Sequence, residues 1–193
     1  LAGSDSSVFD DFTLKQIKTF QKAASQLEQG IEYPVLKHIL NSAGIERFAD
    51  YQMDMVRLGI GLYGVSASGQ KGLRNVNTLK TTILQIQEVP AGDSIGYSRR
   101  SYVKRDSRIA IIPIGYADGL DRHLGNGAGQ VLINGKRCPT IGNICMDTCM
   151  IDVTGIEVNE GDTVIIFGDE LPVSELSETL GTISYEILTS ISP

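Results

Sequence analysis

Between residues 12 and 27 the apolar positions Leu14, Ile17, Phe20, Ala23, Ala24 and Leu27 recur every three or four residues, which describes one face of a helix. Thr13-Leu14-Lys15-Gln16 predicts a capping box at its start, and Gly30 predicts a cap at its end. A short apolar run at 35–40 predicts a strand, and Asn41 or Ser42 would cap the short helix of NSAGIERF. Residues 53–58 predict a second strand, interrupted by Arg57 and closed by Gly59-Ile60-Gly61. Helix and strand alternating in this close order predict α/β architecture with a parallel sheet.

GVSASGQKG at 64–72 reads as a linker, and beyond it the period becomes two. Residues 82–89, 108–114, 130–134 and 162–167 predict strands, separated by turn signals such as Pro90-Ala91-Gly92-Asp93, Asn134-Gly135 and Asn159-Glu160-Gly161-Asp162. Short strands so spaced predict a small, mostly antiparallel β barrel or sandwich. Residues 173–191 return to helical spacing, broken at Gly181. The expected class is therefore α/β plus β, with an α/β portion at 1–75 and a β domain at 76–193. Three or so αβ elements cannot cover both faces of a parallel sheet, so the first portion needs a further segment or another copy to complete it.

Composition narrows the function classes. The chain has 193 residues, 17 Lys and Arg against 23 Asp and Glu, a net charge of −6, and 41% hydrophobic residues. That hydrophobic share excludes intrinsic disorder, and the acidic balance argues against a nucleic-acid partner. No apolar run approaches the roughly 18–20 residues that span a bilayer, nor is there a signal-peptide pattern. Cys138, Cys145 and Cys149 are three clustered cysteines, far in sequence from both histidines, His38 and His123. A closed zinc site needs four ligands, so the expectation is no metal and reduced thiols in a cytoplasm. A start at Leu1 without an initiator Met, and a stop at TSISP, read as cuts through a longer protein.

Candidate chemistry lies where strands would end. Asn41 and Ser42 follow the first strand and Gly59-Ile60-Gly61 the second, and backbone N–H groups beside a hydroxyl suit a phosphate. Arg57 inside the apolar MVRLGIG needs a partner or a polar cavity, because its guanidinium never loses its charge. Tyr97, in SIGYSRRSY, sits beside paired arginines, and positive charge makes a phenolate a better base. PIGYADG at 113–119, with Tyr116, and ICMD at 144–147, with Cys145, Met146 and Asp147, are glycine- and aspartate-containing turns. Taken singly, each of these motifs is also compatible with a structural role.

In joint order, HILNS (38–42), MVRLGIGLYG (55–64), IGYSRRSY (95–102), IPIGYADG (112–119) and IGNICMD (141–147) resemble the C-terminal half of the alanine racemases. The resemblance runs from residue 1 to residue 193. It implies the C-terminal portion of a TIM-type (β/α)8 barrel followed by a β domain, and a pyridoxal 5′-phosphate enzyme that makes D-alanine for peptidoglycan precursors. It also implies roles. Asn41, Ser42, Gly59 and Ile60 would lie at the cofactor phosphate, and Arg57 at the pyridine nitrogen. There an Arg holds its proton and makes the ring a weaker electron sink. Tyr97 would move the Cα proton on one face of the substrate. Met146 would offer its backbone N–H to the substrate carboxylate, with Cys145 and Asp147 beside it, and Tyr116 would line the entrance. The family works as a homodimer in which Tyr97 reaches the other subunit's site.

The same resemblance implies absences. The Schiff-base lysine, the arginine that grips the substrate carboxylate and a histidine near the ring would all precede residue 1, so this chain alone is expected to be inactive. A tyrosine often present at the position of Pro193 is replaced. Two alternatives stay open at this level: a racemase or decarboxylase of another amino acid on the same fold, and a non-catalytic cofactor-binding or assembly module. A decarboxylase would be expected to set an acidic group against the pyridine nitrogen, which Arg57 opposes.

Overall fold

In the computed structural model, residues 1–70, 72–99 and 101–191 are described; Pro193 and its expected tyrosine position lie outside them. The chain divides into two compact units, Leu1–Val76 and Asn77–Pro193.

The first unit is built around α1 (Asp10–Glu28). Its stripe of apolar side chains buries Ile17 fully against Leu40 and Phe48, with Leu14, Ile39, Ile45 and Val56 packed around them. Removing one such side chain from water contributes about 1.5–3 kcal/mol. The expected capping box does not form. A short 3-10 turn, Ser7–Phe9, runs straight into the helix and is capped by Ser6, whose side chain accepts from the Val8 N–H. Thr13 therefore lies inside α1, completely buried, while Asp10 and Asp11 supply the negative charge that a helix start favours. At the other end α1 stops at Glu28, two residues before Gly30, whose N–H donates to the Leu27 carbonyl.

Neither 35–40 nor 53–58 forms a regular strand. The N–H groups of Asp54 and Met55 both donate to the Lys37 carbonyl, and Arg57 N–H to the Leu40 carbonyl. Two of these three bonds share one acceptor and all run from the second segment to the first, so the two extended runs lie side by side without an evenly spaced parallel ladder. Asn41, not Ser42, caps the short helix α2 (Ser42–Arg47), its Oδ1 accepting from Gly44 N–H at 3.1 Å.

The segment expected to be a linker is latched. Glu46 accepts from the Ser66 hydroxyl at 2.6 Å, the Ser68 hydroxyl at 2.5 Å and the Ala67 N–H at 3.0 Å. Burial would push this carboxyl up, but those hydroxyl and N–H donors outweigh it and hold it below its usual value.

The second unit is antiparallel throughout its described pairings. One sheet has the order β1 (Leu79–Thr82), β9 (Thr163–Phe167), β6 (Gln130–Ile133) and β7 (Lys136–Pro139). A second has β2 (Gln85–Val89), β5 (Ser107–Ile112) and β8 (Cys149–Asp152), and β3 (Ser94–Ile95) pairs with β4 (Ser101–Tyr102). The single strand expected at 82–89 is two strands in two sheets. The switch falls at Ile83 and Leu84: Ile83 exchanges hydrogen bonds with the 161–162 turn, and the next N–H, of Leu84, donates to Ile111 in the other sheet. Residues 108–114 stop pairing at Ile112, because Pro113 has no N–H to donate. Asn134 and Gly135, both at positive φ, make the tight turn between β6 and β7.

Strands β7 and β8 are additional to the expected set; each is four residues long, and β7 buries only Cys138. Helices α3 (Val173–Leu180) and α4 (Ser184–Ser190) follow, with Gly181 left-handed at φ 67° between them. Arg137 of β7 forks onto both carboxylate oxygens of Glu175 in α3. Among the described residues no helix is long and apolar enough to cross a membrane.

Two predictions follow from this packing. Ile83→Ala should cost about 2–4 kcal/mol of unfolding free energy and Leu84→Ala under about 1 kcal/mol, since Ile83 is 2% exposed and Leu84 55%; chemical denaturation measures both. For Glu46, a carboxyl held low in the folded state stabilises fully above its unfolded value of 4.5 and loses that contribution as pH falls through the lower folded value. Glu46→Gln should therefore be less stable near pH 6 yet lose less on acidification to about pH 3, read as melting temperature.

Candidate active site

In the first unit the candidate residues meet largely through backbone groups. Ser42 opens α2 and is 3% exposed; its Oγ accepts from the Gly59 N–H at 2.9 Å. That leaves the hydroxyl proton of Ser42 to donate elsewhere. Asn41 is spent on structure: besides capping α2 it accepts from the Ser4 hydroxyl at 2.8 Å. Gly59 precedes a 3-10 turn, Ile60–Tyr63, whose first N–H groups have no acceptor inside the turn. Ile60 itself is buried and anchors the turn. Ser42, Gly59 and Ile60 thus converge through one hydrogen bond.

Arg57 is exposed. Its Nη2 donates to the Ile39 carbonyl at 3.2 Å, and its own N–H donates to Leu40, so one backbone segment fixes both ends of the residue. The partner its charge requires is a carbonyl and solvent, rather than a carboxylate.

In the second unit Tyr97, Tyr116, Cys145, Met146 and Asp147 line one cleft of about 480 Å³ together with Arg122, Asn143, Ile144 and Thr148. Two turns build it. Tyr116 N–H donates to the Cys145 carbonyl and Ala117 N–H to the Met146 carbonyl, both at 3.0 Å. The approach requires Gly115: a Cβ there would fall 2.2 Å from the Met146 oxygen and 2.4 Å from that of Cys145. The Asp118 carboxylate closes the loop by accepting from Gly115 N–H at 2.8 Å. Cys145 N–H donates to the Thr148 carbonyl, whereas the Met146 N–H enters no hydrogen bond among the described residues.

Tyr97 is 75% exposed, on a turn where Ser98 and Arg99 adopt positive φ. The Arg122 guanidinium lies 5.9 Å from the Tyr116 ring centre. Arg122 and Asn143 escaped the sequence analysis. Their signals were a DRH run after a glycine-rich turn and an Asn two residues before Cys145, neither distinguishable from an ordinary loop. Cys149, four residues on in β8, is buried with its thiol pushed up to about 12, chiefly by burial and then by the neighbouring Cys145. Among the described residues no group of three or more His, Cys, Asp or Glu is placed to hold a metal ion.

These two units belong to the fold class that joins an α/β barrel to a β domain. Residues 76–193 match the alanine racemase C-terminal domain, and residues 1–67 the alanine racemase N-terminal domain. The chain belongs to the alanine racemase family. It is 41% identical over 202 residues to alanine racemase 1 of Oceanobacillus iheyensis, covering 98% of this chain and 53% of that protein. It is 44% identical over 185 residues to the alanine racemase of Desulforamulus reducens, covering 92% and 50%. Among solved structures, alanine racemase of Clostridium difficile 630 in complex with cycloserine aligns with a TM-score of 0.91 at 36% identity, covering all of this chain and 52% of that one. The Bartonella henselae enzyme with covalently bound pyridoxal phosphate aligns at 0.88 and 34%, covering 100% and 53%. The chain spans about half the length of the curated relatives it matches.

Gly115→Ala should push the 145–147 turn out of place and cost about 1–3 kcal/mol, the usual penalty of overpacking. Ala117→Gly, in the same loop, should cost less; thermal denaturation of the two variants compares them.

Proposed function

We propose that the protein containing this chain interconverts L- and D-alanine with pyridoxal 5′-phosphate. The observation that carries the reading is the convergence, in one cleft, of an exposed phenol at Tyr97, an unspent N–H at Met146 and the guanidinium of Arg122.

The first unit fits the cofactor's phosphate. Ser42 retains a hydroxyl proton, Gly59 has no side chain to block approach, and the first N–H groups of the Ile60 turn have no acceptor within it. Asn41 holds the start of α2 in place beside them. When bound, pyridoxal phosphate supplies an electron sink for the pair left at Cα once its proton departs. Arg57, braced on Ile39, would donate to the ring nitrogen and keep its own proton, since guanidinium does not ionise in this range. Retaining that proton weakens the sink and favours return of a proton to Cα over other outcomes. It also disfavours a decarboxylase, whose sink needs a protonated ring.

Tyr97 would take or return the Cα proton on one face. Met146 N–H and Arg122 would hold the substrate carboxylate, with Cys145 and Asp147 shaping the floor and Tyr116 the entrance. No lysine of this chain is assigned to the cofactor. We assign the active form to a homodimer in which Tyr97 of one copy serves the other copy's cofactor, working in the cytoplasm on D-alanine for peptidoglycan precursors.

In the full-length protein, Tyr97→Phe should slow Cα hydrogen exchange from one enantiomer about 10²- to 10⁴-fold, the usual range for losing a general base. The other enantiomer should be affected less and cofactor absorbance should stay. Equal loss for both enantiomers with release of cofactor would refute the base role.

A further inference from the structure

The turn that presents Tyr97 is tied from behind by a chain of side-chain amides. Asn143 Nδ2 donates to the Tyr97 carbonyl at 3.2 Å. Asn126 Nδ2 donates to Asn143 Oδ1 at 3.1 Å, and the Ser101 hydroxyl donates to Asn126 Oδ1 at 2.6 Å. Each amide has its carbonyl and amino ends assigned by the neighbour on either side, so the relay has one consistent direction. Its base is firm: Asn126 N–H donates to the Gly142 carbonyl at 2.8 Å, and Asn126 holds a left-handed φ of 56°. Asparagine tolerates that conformation better than other residues with a side chain.

Its far end is strained, with Ser98 at φ 64° and Arg99 at φ 50°. Such angles persist in residues other than glycine only where surrounding contacts impose them. Here those contacts are the Asn143 bond on one side and Arg99 Nε donating to Ser94 Oγ at 2.9 Å on the other.

We propose that Asn126, acting through Asn143, is a positioning residue that sets where the Tyr97 phenol stands in the cleft. The inference rests on the reading of Tyr97 as a proton-transfer group. Asn126 is absent from the cleft lining, so it acts without touching substrate.

The test uses the full-length protein. Asn126→Gly keeps the left-handed backbone at no steric cost while deleting the amide. Asn126→Asp keeps the acceptor for Ser101 and sets an oxygen against the Asn143 oxygen. Both should fall about tenfold or more in kcat with KM changed less than about twofold, since small misplacements of a reacting group cost rate rather than binding. The loss should be larger for the enantiomer whose exchange depends on Tyr97. Amide hydrogen exchange of the peptide spanning Tyr97 should speed up at least threefold, with melting temperature held. Unchanged exchange at that peptide overturns the tie, whatever the activity. Faster exchange with unchanged kcat, in a protein that Tyr97→Phe cripples in one direction, overturns the positioning role. If Tyr97→Phe shows no directional effect, the base assignment fails first, and faster exchange would then mark a purely structural tie, refuting positioning as well.

Discussion

The second unit turns on the backbone docking of two loops. The N–H groups of Tyr116 and Ala117 meet the carbonyls of Cys145 and Met146, and a hydrogen in place of a side chain at Gly115 lets them approach. These bonds consume the carbonyls of 145–146 and leave the Met146 N–H turned to other use. They also bring Tyr116 and Arg122, which come from one stretch of chain, beside Asn143 and Asp147, which come from another. Sheets β2–β5–β8 supply the rigid frame: β5 leads into the first loop after Ile112 and β8 begins just after the second, at Cys149, and the two strands are paired. Loops carrying polar chemistry on a fixed sheet are a common division of labour.

Backbone groups do a comparable job in the first unit. Ser42 is buried, yet its hydroxyl is committed as an acceptor to Gly59, and that single bond brings the start of α2 to the start of the Ile60 turn. A side-chain cluster of equal donor strength would carry extra charge and rotamer entropy. Arg57, the permanent charge nearby, is held by a carbonyl contact at Ile39.

Periodicity located α1, β5, β6, β9 and the final helices because each has enough alternating or stepwise apolar positions to register. It overstated 35–40 and 53–58, where apolar composition is right but pairing is too irregular for a strand, as the doubled use of Lys37 shows. It passed over β7, which carries Lys136 and Arg137 and buries only Cys138, and β8, whose partner β5 lies about forty residues away in sequence. The 82–89 run looked continuous because no turn residue interrupts it where the backbone changes sheet at Ile83 and Leu84, an event that composition alone does not record. For the site, Tyr97, Tyr116 and Met146 stood out only as members of an ordered set of motifs. Arg122, Asn126 and Asn143 had no such set, since their significance is a matter of which neighbours the fold brings to them.

Strain and exposure coincide at one place in the second unit. A tyrosine ring left three-quarters in water forgoes much of the burial that usually justifies an aromatic residue. Two successive residues after it hold angles that cost about 1–2 kcal/mol each without compensation. Stability alone favours neither feature, and relaxing the turn would relieve the strain. The hydrogen bonds from Asn143 to the Tyr97 carbonyl and from the Arg99 side chain to the Ser94 hydroxyl oppose that relaxation, and neither involves the phenol. A tyrosine held through its main-chain carbonyl and exposed at its ring is one whose position the surrounding polar network sets, rather than burial.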